Sequence, residues 1–356
     1  MHVKEVLILN RRCIKHPQRG GAEVYILELA KALIEQGYNV EWFSSGSDGL
    51  KKNEESEGIK FIRRGNELTT HFYGFLYALK KRSGLIIDAF NGLGFLTFFK
   101  KNSIVLVFQL YKEFWNAELG IWGYPLRFVE KMLLRLYRKR PAIIISNSTE
   151  DDLRGLGFRD ITVINIGLDI QPLETAAVKE DALTLIYLGR LKSTKNPEDA
   201  IRAFFAVRKI ISDAKLRIIG DGPLYEPLRK KYGYIKEIIF HGFVDNRKKY
   251  DFLQRAHFLL IPSLREGWGM VVTEANAMGT PAIGYNVHGI KDSIMDGETG
   301  VLVKDHQEMA ASILALWEAP DKYNAMCARS LAWARNFSWG RTRTAFLKFI
   351  SERIPD

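Results

Sequence analysis

Short apolar segments alternate with amphipathic helical stretches along the whole chain. Residues 22–37, AEVYILELAKALIEQG, repeat apolar positions at helical spacing and end at Gly37, which predicts a helix. Apolar segments of strand length separated by such helices are typical of a parallel sheet that is covered on both faces. The strands predicted in the first half are residues 6–9, 38–44, 85–90, 104–109, 142–148 and 160–167.

The same pattern restarts after a polar stretch at residues 167–182 that lacks a strand. We therefore predict an α/β protein with two Rossmann-like parallel-sheet domains that face each other across a cleft. The first domain covers residues 1–168, joined by a C-terminal helix at 336–356 that crosses back to it, and the second covers 169–335. Ligands of such sheets bind beyond the carboxyl ends of the strands, so functional residues are expected directly after strands. The strands of the second half, with the loops that follow them, are predicted at residues 183–191, 214–223, 237–244, 258–263, 281–286 and 299–303.

Length and composition agree with this prediction. A chain of 356 residues exceeds one ordinary core and suits two domains, and 47% hydrophobic with 26% charged residues is typical of a globular protein. The two cysteines, Cys13 and Cys327, lie far apart in the sequence and favour a reducing compartment, so we expect a cytoplasmic protein. The start MHVKEVLILN lacks the pattern of a secretory signal, and no apolar run has the length that a bilayer requires.

The charge balance favours anionic partners, because 52 basic against 41 acidic residues leave a net charge of +11. The stretch at 127–140 holds six basic residues and one acid, Glu130. It is either a solvated helix face or a cationic helix that docks on anionic lipid, and the aromatic residues close by favour docking. The protein would then be peripheral on the inner face of the cell membrane, with an acceptor carried on a lipid. No zinc-finger, basic-zipper or RNA-binding signature indicates nucleic acid as a partner.

Two cations follow a predicted strand in YLGRLKSTKNPEDA, namely Arg190 and, five residues later, Lys195. An Arg that binds bidentately and a Lys that acts as a point charge, both at a loop-to-helix junction, suit a diphosphate. Taken by itself, the segment fits a solvated loop equally well.

Two glutamates, Glu266 and Glu274, flank seven residues in SLREGWGMVVTEANAMG. Glu266 lies in the loop after a strand, and Glu274 lies about two turns into the following helix. Between them, Gly267 and Gly269 expose backbone amides at the helix start, which is a suitable site for an anion. Carboxylates accept hydrogen bonds from hydroxyl groups, so a sugar and a ribose are sensible partners.

Gly20 and Gly21 stand directly before the first predicted helix, preceded by Arg19. Two consecutive glycines cost backbone entropy. They serve either a tight turn or the close approach of a phosphate to the helix N-terminus.

Several of these segments resemble one family. GRLKSTKN, GDGP, EGWGMVVTEANAMGTPAI and DGETGVLV closely resemble the retaining glycosyltransferases of the GT-B fold, family four, also described as glycosyl transferases group one. The resemblance covers nearly the whole chain, including GGAEVYILELAKALIEQGYNV, SNSTEDDL and the FSW of residues 337–339. It implies transfer of a hexose from a nucleotide-diphosphate sugar to an acceptor hydroxyl, with retained configuration.

The resemblance also implies roles for individual positions. Arg190 and Lys195 would bind the donor diphosphate and stabilise the negative charge that grows on it as it leaves. Glu266 would bind the sugar near the reacting carbon, which makes it the third expected catalytic residue, and Glu274 would hold the ribose hydroxyls. Further donor contacts are implied at Gly20, Gly21, Gly222, Phe243, Val244, Gly267, Gly269, Met270 and Val271.

These further positions would act through the backbone. Gly20 and Gly21 would approach the phosphates, the amides of Met270 and Val271 would cap them, and the backbone near Phe243 would meet the nucleobase. The departing phosphate oxygen would take the proton of the acceptor hydroxyl, which would explain why no general base stands out. No Asp-x-Asp pair follows a strand, so we expect neither a metal nor another cofactor.

Two departures from the family pattern leave alternatives open. Relatives usually carry a His after the strand in IVLVFQLYKEFW, whereas this chain has Phe108 and Gln109 there, on the sugar or acceptor side. His288 stands where many relatives have a second glycine. At Phe108 and Gln109, either Gln109 makes the sugar contact, or the donor differs there, or activity is reduced. The last case makes a non-catalytic nucleotide-sugar-binding subunit the alternative to an enzyme. A dinucleotide dehydrogenase is a third hypothesis, but GWGMVV lacks the third Gly or Ala of that fingerprint.

Overall fold

The computed structural model describes residues 5–81 and 84–353, which divide into two units. The first unit contains the residues up to 115, residues 121–167 and those from 338 onward, and the second contains 116–120 and 168–337. Each unit is built on one largely parallel sheet with helices packed against it. The prediction of an α/β protein with two Rossmann-like domains is therefore confirmed.

The first unit holds an eight-stranded sheet in the order β3-β4-β2-β1-β5-β6-β7-β8. All neighbouring strands are parallel except the edge pair of β3 and β4. The strands are β1 (Glu5–Leu9), β2 (Asn39–Ser44), β3 (Asn53–Ser56), β4 (Ile59–Arg63), β5 (Leu85–Phe90), β6 (Ser103–Val107), β7 (Ala142–Ile144) and β8 (Ile161–Val163). The helices are α1 (Gly21–Glu35), α2 (Thr70–Lys80), α4 (Gly123–Leu136) and α5 (Asn147–Gly155), together with the start of α3 (Lys112–Leu119), whose residues from 116 onward fall in the second unit.

The second unit holds a six-stranded, fully parallel sheet in the order β11-β10-β9-β12-β13-β14. The strands are β9 (Thr184–Leu188), β10 (Lys215–Ile219), β11 (Ile238–Gly242), β12 (Phe258–Ile261), β13 (Ala282–Tyr285) and β14 (Gly300–Val303). The helices are α6 (Pro197–Arg208), α7 (Tyr225–Tyr232), α8 (Asn246–Arg255), α9 (Met270–Ala277), α10 (Ile290–Ser293), α11 (His306–Trp317) and α12 (Pro320–Ala334).

The last helix, α13 (Trp339–Arg353), belongs to the first unit and packs against α1. Arg343 on α13 donates to Glu28 at 2.9 Å and to Glu35 at 2.8 Å, and the Trp339 ring meets Tyr25 edge-on at 6.3 Å. The hydroxyl of Tyr25 donates to the backbone of Ile164, so α1 is tied both to α13 and to the end of the sheet.

The other face of the first sheet carries α2, α4 and α5. Ile86 belongs to the core cluster under α2, and Phe90 belongs to the cluster under α4 and α5. Both residues lie on β5, four positions apart, so their side chains point to the same face of the sheet. The two clusters therefore form one continuous layer beneath these helices.

Strands β3 and β4 of the first unit were not predicted. β3, with the sequence NEES, has no apolar residue, because it is an edge strand whose side chains are exposed or half-buried. It pairs antiparallel to β4, which follows it after a two-residue turn. The prediction of a parallel sheet thus holds for all strands but this edge, where a short polar strand leaves no hydrophobic period to detect.

Candidate functional site

Two loops of the second unit meet at the carboxyl end of its sheet, where ligands of parallel sheets bind. One follows β9 and carries Arg190 and Lys195, and the other follows β12 and carries Glu266. β9 and β12 are neighbours in the sheet, and the Leu264 amide donates to the Thr194 carbonyl at 3.0 Å. The fold therefore brings together residues that are some seventy positions apart in the sequence.

Lys195 and Glu266 form an ion pair between Nζ and Oε1. The side chains keep 22% and 14% of their surface exposed, so the pair is partly desolvated but open to solvent. Ser263 donates from its hydroxyl to the same carboxylate oxygen at 2.9 Å. Glu266 is thus held by a cation and a hydroxyl, in a position where both charges are accessible to a ligand.

The loop after β9 is shaped by short-range geometry. Residues 193–195 form a single 3-10 turn, and Asn196 adopts a left-handed conformation with φ 47° before Pro197 starts α6. Arg190 is exposed at the beginning of this loop, and its carbonyl accepts from the Tyr187 hydroxyl at 3.1 Å. Burial, aided by the Glu266 charge, raises the pKa of Tyr187, which keeps this hydroxyl protonated as a donor.

Gly222 in the GDGP turn supports the same loop. The Leu191 amide donates to the Asp221 carbonyl at 2.9 Å, and a Cβ at Gly222 would lie 2.6 Å from the Leu191 carbonyl oxygen. The glycine is therefore required for the close approach of the two loops. This packing role is separate from the donor contact predicted for Gly222.

His288 holds the backbone of Glu266 from the other side. The Glu266 amide donates to the His288 carbonyl at 3.0 Å, and Nδ1 of His288 lies 2.9 Å from the Glu266 carbonyl oxygen. Since a carbonyl only accepts, this nitrogen carries the proton. A Cβ at Gly289, which has φ 81°, would lie 2.6 Å from the Glu266 carbonyl carbon. His288 is a positioning residue for Glu266, a function that the sequence did not reveal.

Glu274 lies on α9 and pairs with Lys249 of α8, with 2.8 Å between Nζ and Oε1. Burial raises the pKa of Glu274, and the charge and hydrogen bond of Lys249 oppose that shift. Burial alone would lower the pKa of Lys249, but Glu274 raises it overall, so the lysine remains charged. Lys249 was missed by sequence reasoning, because nothing in the segment NRKKYDFL distinguishes it from a solvated lysine.

The start of α9 offers backbone donors beside these pairs. Gly269 precedes the helix, and Met270 and Val271 form its first turn. The first N–H groups of a helix have no intrahelical acceptor, so they can bind an anion. Gly267 lies in the loop between Glu266 and this turn.

Phe243 and Val244 follow β11 at the same edge of the sheet. The Phe243 side chain is 84% exposed, which suits a planar ligand. An adjoining pocket of about 440 Å³ is lined by His241, Phe243, Val244, Asp245, Lys248, Asp251 and Phe252. The His241 ring packs on Phe252 at 4.4 Å, and burial together with Arg217 lowers the pKa of His241.

The glycine loop of the first unit is capped from within. The Gly20 amide donates to Oε2 of Glu23 at 2.7 Å, and Asn10 donates to the other carboxylate oxygen at 3.2 Å. Burial raises the pKa of Glu23. A ligand would therefore meet a Gly20 amide that is already engaged. The phosphate contact predicted for this loop would therefore depend on Gly21 and on the space that is left because neither glycine has a side chain.

Phe108 and Gln109 follow β6 in the first unit. The Phe108 ring is buried and meets Tyr25 edge-on at 5.6 Å, so it packs in the core. The Gln109 side-chain oxygen is buried without a hydrogen-bond partner in the part of the chain that the structure describes. Of the two, only Gln109 has an unused polar atom for a substrate.

The predicted site residues thus divide between the units. Gly20, Gly21, Phe108 and Gln109 lie in the first, and all the others lie at one sheet edge of the second. Within residues 5–81 and 84–353, no group of three His, Cys, Asp or Glu side chains could hold a metal ion. None of the helices in the same ranges is long and apolar enough to cross a membrane.

Comparisons with known proteins match both halves of the chain. The family model described as "Glycosyltransferase Family 4" matches residues 19–172, and the one described as "Glycosyl transferases group 1" matches residues 173–331. A glycogen synthase of Mycobacterium tuberculosis is 29% identical over 223 residues, which is 59% of this chain and 54% of that protein. The chain spans about half the length of several curated relatives that it matches.

Solved structures show the same fold at low identity. Sucrose-phosphate synthase from Thermosynechococcus elongatus superimposes with a TM-score of 0.79 at 18% identity, covering 98% of both chains. Anabaena HepE in complex with UDP-glucose has a TM-score of 0.72 at 15% identity, covering 98% of this chain and 99% of that one. At such identities the likeness establishes the fold alone.

Proposed function

This chain belongs to the GT-B glycosyltransferases that the two family models describe, and we propose that it is a retaining enzyme that moves a sugar from a nucleotide-diphosphate donor to an acceptor hydroxyl. The observation that carries the proposal is the meeting of Lys195 and Glu266 at the carboxyl edge of the second sheet. A carboxylate held beside a half-buried lysine and the amides of α9 can bind sugar hydroxyls and phosphates at one place.

The donor diphosphate would compete with Glu266 for the positive charge of Lys195. With the donor bound, Lys195 and Arg190 would face phosphate oxygens, and Glu266 would be released to accept a hydrogen bond from the sugar. The negative charge that develops on the leaving diphosphate would be stabilised by these cations and by the first amides of α9. Preorganised charges of this kind require little rearrangement during the reaction.

The second pair, Glu274 with Lys249, supports binding of the nucleoside part. Its carboxylate is fixed by one lysine at 2.8 Å, which leaves the other oxygen for ribose hydroxyls. Phe243 and Val244 would meet the nucleobase along the same edge. The UDP-glucose complex of Anabaena HepE, which has the same fold, makes a uridine nucleotide a suitable first donor to test.

We further propose that no metal is required. Arg190, Lys195 and the helix amides supply the positive charge that a metal would otherwise provide. The departing phosphate oxygen would accept the proton of the acceptor hydroxyl on the same face of the sugar, which gives retention of configuration. The acceptor itself would be lipid-linked, an inference supported by the cationic segment 127–140.

A donor panel tests this function directly. Thermal shift with UDP-, GDP- and ADP-sugars should show stabilisation by one nucleotide class, because a ligand that binds only the folded state raises the melting temperature. Addition of a metal chelator should leave that shift and the turnover unchanged. Release of free nucleotide from the stabilising donor would then show turnover.

Two results would contradict the proposal. No shift with any nucleotide sugar would remove the donor site. A shift without nucleotide release, tested with acceptors extracted from membranes, would favour the non-catalytic binding subunit instead. Binding of a nicotinamide cofactor in place of nucleotide sugars would indicate a dehydrogenase.

A further inference from the structure

Large hydrophobic side chains are exposed mainly in one segment of the first half. Among the described residues, fourteen such side chains lie between residues 68 and 136, and six are spread over residues 178–317. The fourteen are Leu68, Phe72, Tyr73, Leu76, Leu79, Phe99, Leu119, Ile121, Trp122, Tyr124, Phe128, Val129, Met132 and Leu136. A concentration of this kind marks a surface that another body covers.

Helix α2 turns most of its large residues outward, with the exception of Tyr77, which stacks on Phe43 with 5.3 Å between ring centres. The residues it buries against the sheet are small, namely Thr70, Gly74 and Ala78. A Cβ at Gly74 would lie 2.6 Å from Cε1 of Phe95, so the helix approaches its neighbours too closely for a larger side chain. Phe72 and Leu76 point away from this contact. The usual arrangement, with large apolar residues inside, is therefore inverted in α2.

Helix α4 shows the same inversion. Tyr124, Phe128, Met132 and Leu136 recur at four-residue spacing and are exposed, so they form one apolar stripe on its outer side. The acid of this helix, Glu130, is buried, and it accepts from the Tyr111 amide at 2.8 Å and from the Trp115 indole nitrogen at 3.2 Å. The outer side of α4 is consequently left with apolar and cationic residues.

The two helices lie on the same face of the sheet, joined by residues 97–99. Phe99 contacts Phe75 of α2 with 6.1 Å between ring centres, and Phe98 contacts Tyr137 at the end of α4 at 5.8 Å. The Asp88 carboxylate stabilises this connection, because it accepts hydrogen bonds from the Phe95 amide at 3.0 Å and from the Tyr137 hydroxyl at 2.6 Å. We call the exposed apolar residues of α2, α4 and Phe99, together with Leu68 just before α2, the apolar face.

Positive charge accompanies the apolar face. Residues 68–140 contain twelve basic and four acidic residues, which accounts for eight of the eleven net positive charges of the chain. Two of the four acids, Asp88 and Glu130, are buried. The exposed basic residues include Lys131 and Arg135, which lie one turn apart on α4 beside the apolar stripe.

We propose that the apolar face docks on an anionic lipid surface, with α2 and α4 lying flat in the interface and both inserting their outward side chains. The proposal extends the cationic segment 127–140 to a two-helix platform in which α2 supplies apolar area and α4 supplies apolar area and charge. Apolar insertion and cationic attraction add in such binding. If the proposed sugar transfer is correct, this surface brings the enzyme to an acceptor carried on a lipid.

Charge complementarity favours a membrane over a second copy of the chain. A symmetric dimer through this face would place the same excess of positive charge on both sides of the interface, and like charges at close range oppose association. An anionic bilayer neutralises that charge while it accepts the apolar side chains.

Vesicle flotation tests the proposal. The full chain should float with vesicles of phosphatidylcholine mixed with phosphatidylglycerol and remain behind with phosphatidylcholine alone. Leu68→Ser with Phe72→Ser should weaken binding about tenfold or more, since two exposed apolar side chains no longer insert. Lys131→Gln with Arg135→Gln should weaken it by about 25-fold at low salt, from about fivefold for each charge near the surface.

The matched control carries Ile210→Ser and Tyr234→Ser, whose side chains in the second unit are 68% and 80% exposed, against 79% and 60% for Leu68 and Phe72. It should bind as the wild type does. Equal loss in the control, or wild-type binding that ignores phosphatidylglycerol, would overturn the proposal. So would a dimer that the Leu68 and Phe72 substitutions dissociate.

The outcome is independent of the proposed activity. Nucleotide release to water or to a soluble acceptor, measured without vesicles, should be the same in the Leu68/Phe72 variant and the wild type. Conversely, Lys195→Ala should abolish turnover and still float. A failure of membrane binding can therefore be told apart from a failure of the assigned reaction.

Discussion

The second unit places pairs of charged residues at the carboxyl end of its sheet, whereas the first unit places large apolar residues on the outer side of one layer of helices. In the second unit, Lys195 meets Glu266 and Lys249 meets Glu274. In the first unit, α2 and α4 expose Phe72 and Phe128, and the charged Glu130 is turned inward. Both departures from ordinary burial cost stability unless something is gained in exchange.

This difference separates two kinds of recognition on related folds. The charge pairs of the second unit suit a small, highly charged ligand that needs fixed positions for each group. The apolar layer of the first unit suits an extended surface, where area and net charge matter more than the position of any one atom. We accordingly assign donor chemistry to the second unit and membrane docking to the first.

The largest expected effect follows from removing the charge pair that defines the second unit. Lys195→Ala and Glu266→Ala should each reduce the rate of sugar transfer by at least about a hundredfold, the scale for losing one charge-stabilising contact. The measurement is steady-state nucleotide release with the donor found by thermal shift.

Lys230→Ala is the matched control, because Lys230 is an exposed lysine on α7 of the same unit. It should retain wild-type turnover. If both site variants also kept wild-type turnover, the charge pair would be structural, and the contrast between the units would lose its catalytic meaning.

Much of the second unit could be predicted from its sequence. Strands β9 to β14 were all predicted, because each is a short apolar run between clear turns. Arg190, Lys195, Glu266 and Glu274 could be singled out as candidate site residues because charged residues and glycines recur there after strands or in the helix that follows. Their partners were not found, since the pairing of Lys249 with Glu274, and of His288 with Glu266, depends on which loops the fold brings together.

The second prediction concerns the buried charge of Glu274. Lys249→Met should lower the free energy of unfolding by roughly 2 kcal/mol, because it leaves a largely buried carboxylate without its counter-charge. Adding Glu274→Gln should restore most of that loss, which a double-mutant cycle in urea would measure. If the loss in the double variant equalled the sum of the losses in Lys249→Met and Glu274→Gln, the pair would not be coupled, and the second unit would be less dependent on paired charges than we infer.

The first unit was harder to predict, for a definite reason. Helix α2 was not predicted, because the segment THFYGFLYALK is apolar on nearly all sides and no polar stripe marks an outer face. Periodicity tells which residues share a face but not which face is buried, and here the small residues face inward. The burial of Phe108 could not be predicted for a related reason, since a residue after a strand can still turn into the core.

The third prediction tests whether the small inner face of α2 holds its large residues outward. Gly74→Ala should destabilise the protein by roughly 1.5 kcal/mol in urea, because the added methyl overpacks against Phe95. The control is Gly155→Ala on α5, where a Cβ meets nothing within 4 Å and should stabilise slightly. Comparable stabilisation by both alanines would show that α2 is loosely held, and the apolar face would then lack a fixed orientation.

The smallest expected effect is a shared pH dependence that sharpens the comparison, because each unit has one histidine whose pKa is lowered to about 4. Burial lowers the pKa of His71 in the first unit and of His257 in the second, each to about 4, with further lowering from Arg11 and Lys179 respectively. Nδ1 of His257 accepts from the Thr184 amide at 3.0 Å, so protonation there would break a buried hydrogen bond.

Because the folded pKa of each histidine lies below its unfolded value, the unfolded state binds more protons between about pH 6.5 and pH 4, and stability falls as the pH is lowered through that range. We expect a loss of about 1 kcal/mol for each histidine between pH 6.5 and pH 5.5 in urea titrations, and a flatter slope in His71→Gln and His257→Gln. A slope that both substitutions leave unchanged would assign the acid sensitivity to other groups, such as His16 and His241, whose pKa values burial also lowers, or carboxylates. The shared property would then not belong to His71 and His257.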